Sequence, residues 1–212
     1  MQLHLQNIVP IPLAERVNSY TSGIWKQDIS LGKGERIFIQ APSGTGKTTL
    51  IHILYGIRRD FTGAVQWNNN SLNDTDALAA LRTSGIGVVF QDMRLFPELT
   101  AWENLEAKRL LTDAVSADEA DHWLDRLGLK TKRDSLAGTL SYGEQQRVAI
   151  IRALLQPFSW LLLDEPFSHL DKANREKAIV LIAELVERNQ AGMLLADLDD
   201  NNYFSYTQKL VL

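Results

Sequence analysis

The sequence contains no cysteine. A disulfide scaffold, a thiol nucleophile and a cysteine-ligated zinc or iron–sulfur centre are therefore excluded. No stretch approaches the ~20 consecutive apolar residues that a membrane-crossing helix needs. Met1 to Arg16 lacks a basic start followed by an apolar block, so no secretory signal is expected there and the expected location is the cytoplasm. Basic runs are also missing. Lys and Arg number 22 against 26 Asp and Glu, a formal net charge of -4, which argues against a dedicated nucleic-acid binder. Internal repeats and low-complexity tracts are absent, and the one homopolymer run, Asn68-Asn69-Asn70, reads as a turn after a strand.

What is present is the composition of a protein with a real core: 45% hydrophobic and 23% charged residues over 212 positions. The length suits one sizeable domain with an inserted subdomain. Short apolar runs at Arg36–Gln40, Gly63–Trp67, Ile86–Phe90, Trp160–Leu163, Met193–Ala196 and Lys209–Leu212 predict strands. Lys47–Tyr55, closed by Gly56, predicts a helix. From about Leu95 to Leu155 helical patterns dominate. Ser116 and Glu119 form a capping-box pattern before Ala120, Trp123, Leu124 and Leu127. Gln145–Leu155 reads as a second helix stopped by Pro157, and Ala178, Ile179, Ile182, Leu185 and Val186 make one face of another. Strands alternating with helices imply an α/β fold, a mostly parallel sheet covered by helices, with the helical middle as an insertion.

Three motifs carry chemistry. Ala41-Pro42-Ser43-Gly44-Thr45-Gly46-Lys47-Thr48, followed by Thr49, lies between a predicted strand and a predicted helix. It matches the phosphate-binding loop G-x-x-x-x-G-K-[ST] except for Ala41 in place of the first glycine. Its glycines let backbone N–H groups turn inward around phosphate oxygens, and the helix N-terminus adds positive potential. Lys47 is the candidate for the terminal phosphates and the Thr48 hydroxyl for Mg²⁺. Ala41 adds a methyl and narrows the backbone range, a departure expected to be tolerated. Trp160-Leu161-Leu162-Leu163-Asp164-Glu165-Pro166 is an apolar strand delivering two carboxylates at its C-terminal end, where α/β sheets place ligands. Asp164 is the candidate metal residue and Glu165 the candidate base that polarises a water. The third motif is Leu140-Ser141-Tyr142-Gly143-Glu144-Gln145-Gln146-Arg147.

The order phosphate loop, Phe90-Gln91, Leu-Ser-x-Gly-Glu, Leu-Leu-Leu-Asp-Glu-Pro and Ser168-His169-Leu170-Asp171 resembles an ATP-binding-cassette (ABC) ATPase. Gln91 follows Lys47 by 44 residues, Ser141 follows Gln91 by 50 and Asp164 follows Ser141 by 23. The resemblance spans essentially the whole chain, and implies one nucleotide-binding domain over 1–212. Its expected parts are a P-loop NTPase core with a parallel sheet, an N-terminal antiparallel β part, and an inserted helical subdomain at about 93–147. Phe96-Pro97, Leu99-Thr100 and Glu103-Asn104 look like the segment that follows the glutamine loop in bacterial transporter cassettes.

By resemblance, the cofactors are ATP and Mg²⁺. Gln91 would contact Mg²⁺ and the attacking water and sense a membrane partner. Ser141, Gly143, Glu144 and the helix they start would bind the γ-phosphate of ATP held by a second cassette, so ATP would join two cassettes head to tail, with Asp171 at the seam. An aromatic residue upstream of the phosphate loop usually stacks on adenine, and Tyr20, 27 residues before Lys47, is the candidate. Trp25 is assigned to the next strand or its start. Two departures stand out. Tyr142 replaces a glycine of the signature. In Leu194-Leu195-Ala196-Asp197-Leu198-Asp199, Leu198 takes the position of the family's switch histidine, and the four histidines are His4, His52, His122 and His169. Slow hydrolysis with ATP binding retained is the expectation.

The leading reading is the nucleotide-binding subunit of a transport complex, peripheral on the inner face of the membrane through a permease on a separate chain. The permease contact is expected beside Gln91 near Leu95–Leu105, with Phe96 and Trp102 as exposed anchors. The small size resembles the lipoprotein-release, efflux and cell-division cassettes, while a small-solute importer or exporter stays open. Two other readings remain: a soluble assembly scaffold, and a degenerate regulatory half of a heterodimer. Chromosome-maintenance cassettes are set aside because no long heptad insertion is present, and translation-factor cassettes because only one cassette is.

Overall fold

The computed structural model describes residues 1–212. Two sheets organise the chain. The first is antiparallel, built from β1 (Leu3–Pro10), β2 (Asp28–Leu31), β4 (Phe61–Trp67) and β5 (Asn70–Ser71) in the order β2-β1-β4-β5. The second contains β3 (Arg36–Gln40), β6 (Ile86–Val89), β7 (Trp160–Asp164), β8 (Gly192–Asp197) and β9 (Gln208–Val211) in the order β6-β7-β8-β3-β9, with every pairing parallel. The helices are α1 (Ala14–Val17), α2 (Lys47–Leu54), α3 (Thr75–Ser84), α4 (Ala101–Arg109), α5 (Ala117–Arg126), α6 (Tyr142–Leu154) and α7 (Lys172–Arg188).

The apolar strands form because both faces of the parallel sheet are covered, which favours continuous hydrophobic runs over alternation. Successive residues of β7 serve opposite layers. Leu161 and Leu163 pack with Phe38, Met193, Leu195 and the helices α4 to α7, whereas Trp160 and Leu162 pack with Ile37, Ile39, α2 and the antiparallel sheet. All four are fully buried, so truncating Leu162 to Ala should cost about 2–5 kcal/mol. The antiparallel sheet closes its far corner with Asn68 and Asn69, both at positive φ, between the paired residues Trp67 and Asn70. Two left-handed residues in a two-residue turn match the twist of a hairpin, and Asn tolerates that conformation.

Some local expectations need correction. The helix expected from Gln145 starts at Tyr142, because Ser141 and Glu144 form a reciprocal capping box. The box expected at Ser116 is only half made: Ser116 Oγ accepts from the Glu119 N–H at 3.1 Å, but the Glu119 carboxylate turns to Arg188 on α7. Trp25 is in no strand; it precedes β2 and lies buried under the phosphate loop. The sequence also left β1 and α3 unread. β1 carries a bulge at Asn7, where φ is 47°, and the register shifts between Gln6 and Val9. Gly63 on β4 faces this bulge so closely that a Cβ there would lie 2.3 Å from the Gln6 carbonyl oxygen. No helix is long and apolar enough to cross a membrane.

The carboxyl ends of β3, β6, β7 and β8 all point to one edge of the sheet, because the strands are parallel. Everything that follows each strand, Ala41, Phe90-Gln91, Glu165 and Leu198, is therefore delivered to that edge.

Candidate functional site

The loop after β3 is pinned by the Ala41 N–H donating to the Asp197 carbonyl at 3.0 Å, and by the Thr45 hydroxyl donating to the Pro42 carbonyl at 2.8 Å. Gly44 and Gly46 take φ of 78° and 108°, left-handed values that glycine adopts without strain. Ala41 keeps a negative φ and is fully buried, so the position needs no glycine backbone. Gly46 caps α2 without any side-chain acceptor. The N–H groups of the first helical turn are thus left open, the arrangement in which a helix N-terminus receives an anion.

Lys47 is buried at the start of α2. Its Nζ donates to the Ala41 carbonyl at 2.8 Å and pairs with Glu165 Oε1 at 3.2 Å, the two side chains being 7% and 10% exposed. Glu165 itself sits at φ 45°, a left-handed conformation uncommon for a non-glycine residue. Asp164, the last residue of β7, has no exposed surface, and neither carboxylate oxygen has a hydrogen-bond donor. Burial pushes its pKa up to about 6, with the neighbouring Glu165 charge adding to the rise and Thr48 and Lys47 opposing it. A buried carboxylate without a partner is costly, and a hard divalent cation is a natural remedy. Next to it, the Thr48 hydroxyl donates to Gln91 Oε1 at 3.1 Å. Thr48, Gln91 and Asp164 together make a set of oxygen donors suited to Mg²⁺. Ser43, Gly44, Gly46, Lys47, Thr48, Thr49, Gln91 and Glu165 line one cavity of about 310 Å³, with Leu13 on its rim.

The third motif is built separately. Ser141 caps α6: its Oγ accepts from the Glu144 N–H at 3.4 Å, and the Glu144 carboxylate accepts from the Ser141 N–H at 2.8 Å. That carboxylate is held below the usual range, chiefly by the Ser141 N–H, with Lys132 at 3.4 Å contributing. Gly143 lies against the chain just before α7, where a Cβ would come within 2.8 Å of the His169 carbonyl oxygen. Tyr142 is 69% exposed and its ring lies 5.4 Å from that of His169. An open cleft of about 470 Å³ lies between Thr48 and Gln91 on one side and Tyr142 and His169 on the other.

Several functional contacts were not read from sequence. Gln146 on α6 donates through Nε2 to the Glu165 carbonyl at 3.1 Å and to Ser168 Oγ at 3.2 Å, and its Oε1 accepts from the His169 N–H at 3.0 Å. It therefore ties the signature helix to the strand end that carries Glu165. Trp25 Nε1 and the Tyr20 hydroxyl both donate to the Thr45 carbonyl, at 3.2 and 3.4 Å. Arg152 on α6 donates to the carbonyls of Met93 and Arg94 at 2.6 and 2.7 Å, clamping two consecutive left-handed residues just after Gln91. Leu198 is exposed and presents no polar side-chain atom. Of the two expected partner anchors, Phe96 is exposed. Trp102 is partly buried against the helical core, with the Arg133 guanidinium 4.0 Å from its ring centre, so it is spent on internal packing.

Similarity to known proteins agrees with this geometry. The family model described as "ABC transporter" matches residues 26–168. A lipoprotein-releasing system ATP-binding protein, LolD, from Psychrobacter arcticus is 37% identical over 181 residues, covering 82% of this chain and 80% of that protein. An aliphatic sulfonates import ATP-binding protein, SsuB, from Bacillus anthracis is 32% identical over 201 residues, covering 89% of this chain and 77% of that protein. Among solved structures, the dimeric structure of MJ0796, a bacterial ABC transporter cassette, superposes with a TM-score of 0.78 at 30% identity, covering 93% of this chain and 88% of that one. With the phosphate loop, the paired carboxylates and the capped signature helix set in this fold, the chain belongs to the ABC transporter family.

Proposed function

We propose that this chain is the ATP-binding and ATP-hydrolysing subunit of a membrane transport complex. The observation that carries the reading is the convergence of Lys47, Glu165 and the unpartnered Asp164 beneath an open helix N-terminus. The loop N–H groups and Lys47 bind the phosphate chain. When phosphate takes Lys47, the Glu165 carboxylate loses its ion pair and becomes free to accept a proton from water. Thr48, Asp164 and Gln91 would hold Mg²⁺, which would neutralise part of the phosphate charge. Leu198 offers no hydrogen bond, so orienting the water falls to Glu165 and Gln91, and turnover is slow.

Two copies, or this chain and a second cassette, close head to tail, with Ser141, Gly143 and the start of α6 meeting ATP on the opposite subunit. The dimeric MJ0796 cassette supports this assembly. The helical insertion at about 93–147 faces a permease on another chain, and the complex sits on the inner face of the membrane. The docking surface is the groove of about 290 Å³ formed by Tyr55, Phe90, Phe96, Lys108 and Leu111 beside the Gln91 loop. The LolD relative supports a permease partner of the lipoprotein-release type.

Steady-state ATPase with Mg²⁺, beside ATP binding, tests the reading. Glu165→Gln should lower turnover about 10²–10⁴-fold while ATP still binds. Turnover equal to that of the wild type in Glu165→Gln would remove Glu165 from the chemistry. A wild-type chain that binds no ATP would sink the whole reading.

A further inference from the structure

The connection from β1 to β2 does not run straight across the sheet edge. It folds a 3-10 turn, Ile11–Leu13, and the short helix α1 over the phosphate loop. Two side chains of this strap touch the loop glycines. A Cβ on Gly46 would lie 2.8 Å from Leu13 Cδ1, and a Cβ on Gly44 would lie 2.7 Å from Arg16 Nη1. The Arg16 guanidinium therefore lies on the backbone of the loop itself. Trp25 also lies against Gly46, 3.1 Å from where a Cβ would stand, and with Tyr20 it braces the loop through the Thr45 carbonyl.

Arg16 is exposed, and its guanidinium makes no ion pair and no hydrogen bond within the chain. Glu15, its neighbour, does not pair with it. The inward N–H groups and the helix N-terminus lend this side of the loop positive potential, while Lys47 on the inner side is paired with Glu165. A guanidinium carrying five donors and no acceptor, placed without a counter-charge beside an anion site, is satisfied when an anion arrives.

We infer that Arg16 is a nucleotide-binding residue, a second cation that grips the phosphate chain of ATP from the strap side, opposite Lys47. This rests on the reading of the loop as an ATP site. Lys47 holds the phosphates from inside the fold. Arg16 closes on them from solvent, so the strap both covers the loop and adds charge. Leu13 supplies the apolar lip of the phosphate-loop cavity, and Arg16 stands outside that lip against Gly44.

Calorimetric titration of ATP into the full chain, its Arg16→Gln variant and its Arg16→Lys variant, at low and high NaCl, tests the assignment. The expected result is a loss of about tenfold in affinity for Arg16→Gln at low salt, as for removal of one hydrogen-bonded charge. The loss should shrink to about twofold at high salt, where the exposed charge is screened, and Arg16→Lys should recover most of it. Equal affinity in wild type and Arg16→Gln overturns the inference. So does a loss that is independent of salt and not recovered by Lys, which would mean that Arg16 only braces Gly44. Absence of ATP binding by the wild type would instead overturn the reading of the loop. Thermal melts of the ligand-free variants should coincide with the wild type, because Arg16 is exposed and makes no internal bond.

Discussion

The two helix N-termini proposed to receive phosphate, those of α2 and α6, are prepared in opposite ways. At α2 the cap is Gly46, no side chain accepts from the first turn, and the nearest charge, Lys47, is buried against Glu165. At α6 the cap is Ser141, and the Glu144 carboxylate already occupies the position an external anion would take. The first terminus keeps its donors open and holds its cation in a buried ion pair. The second is satisfied on its own and exposed. On the proposed function this sets an order of events: α2 collects nucleotide alone, whereas a phosphate approaching α6 must displace or share the donors of Glu144.

The largest effect is expected at Lys47. Lys47→Ala leaves the Glu165 charge buried without its partner, and such a loss costs about 3 kcal/mol. Urea unfolding of the ligand-free protein should show that drop, and ATP binding should fall below detection. Adding Glu165→Gln to Lys47→Ala should restore most of the stability without restoring binding. If the double variant were as unstable as the single one, the ion pair would not be the cause. Asp164→Asn comes next. Its buried, unpartnered carboxylate has a raised pKa and is charged only at a cost near neutral pH. Replacing it by a neutral amide should stabilise the ligand-free chain by about 1 kcal/mol, since most of the burial penalty belongs to the charge. The same variant should lose the Mg²⁺-dependent part of nucleotide binding. Unchanged Mg²⁺ dependence would remove Asp164 from the metal set.

These features were unequally visible in the sequence. Strands β3, β6, β7 and β8 were legible because burial on both faces writes them as apolar runs. The phosphate loop was legible because its glycines stand at the turning points of the backbone. β1 was not, because the bulge at Asn7 breaks the period-two pattern at Gln6-Asn7. α3 was missed although Asp74, which accepts from the Asp76 and Ala77 N–H groups, is a readable cap. The strap over the loop could not be read at all. Leu13 and Arg16 make no local pattern, and their role comes only from contact with glycines about 30 residues away in the chain. In the same way, Trp25 looked like a strand residue because nothing local shows that its indole N–H has a partner at Thr45.

The smallest and sharpest test concerns Glu144. Its carboxylate completes the capping box and takes Lys132 at 3.4 Å. Gln can make the same box without the charge, so Glu144→Gln should cost the ligand-free protein no more than about 0.5 kcal/mol, since an exposed ion pair contributes little. If α6 receives phosphate from a second cassette, the negative charge at its mouth opposes that contact, and removing it strengthens the ATP-bound dimer. Sedimentation of the Glu165→Gln chain with ATP, with and without Glu144→Gln, separates the cases. Tighter dimerisation by several-fold is expected, and the gain should fade at high salt as the charge is screened. No change would mean that Glu144 swings aside when the dimer closes. Weaker dimerisation would mean that the carboxylate holds Ser141 in the orientation the phosphate needs. That result would make the self-satisfied cap part of the binding geometry rather than its competitor.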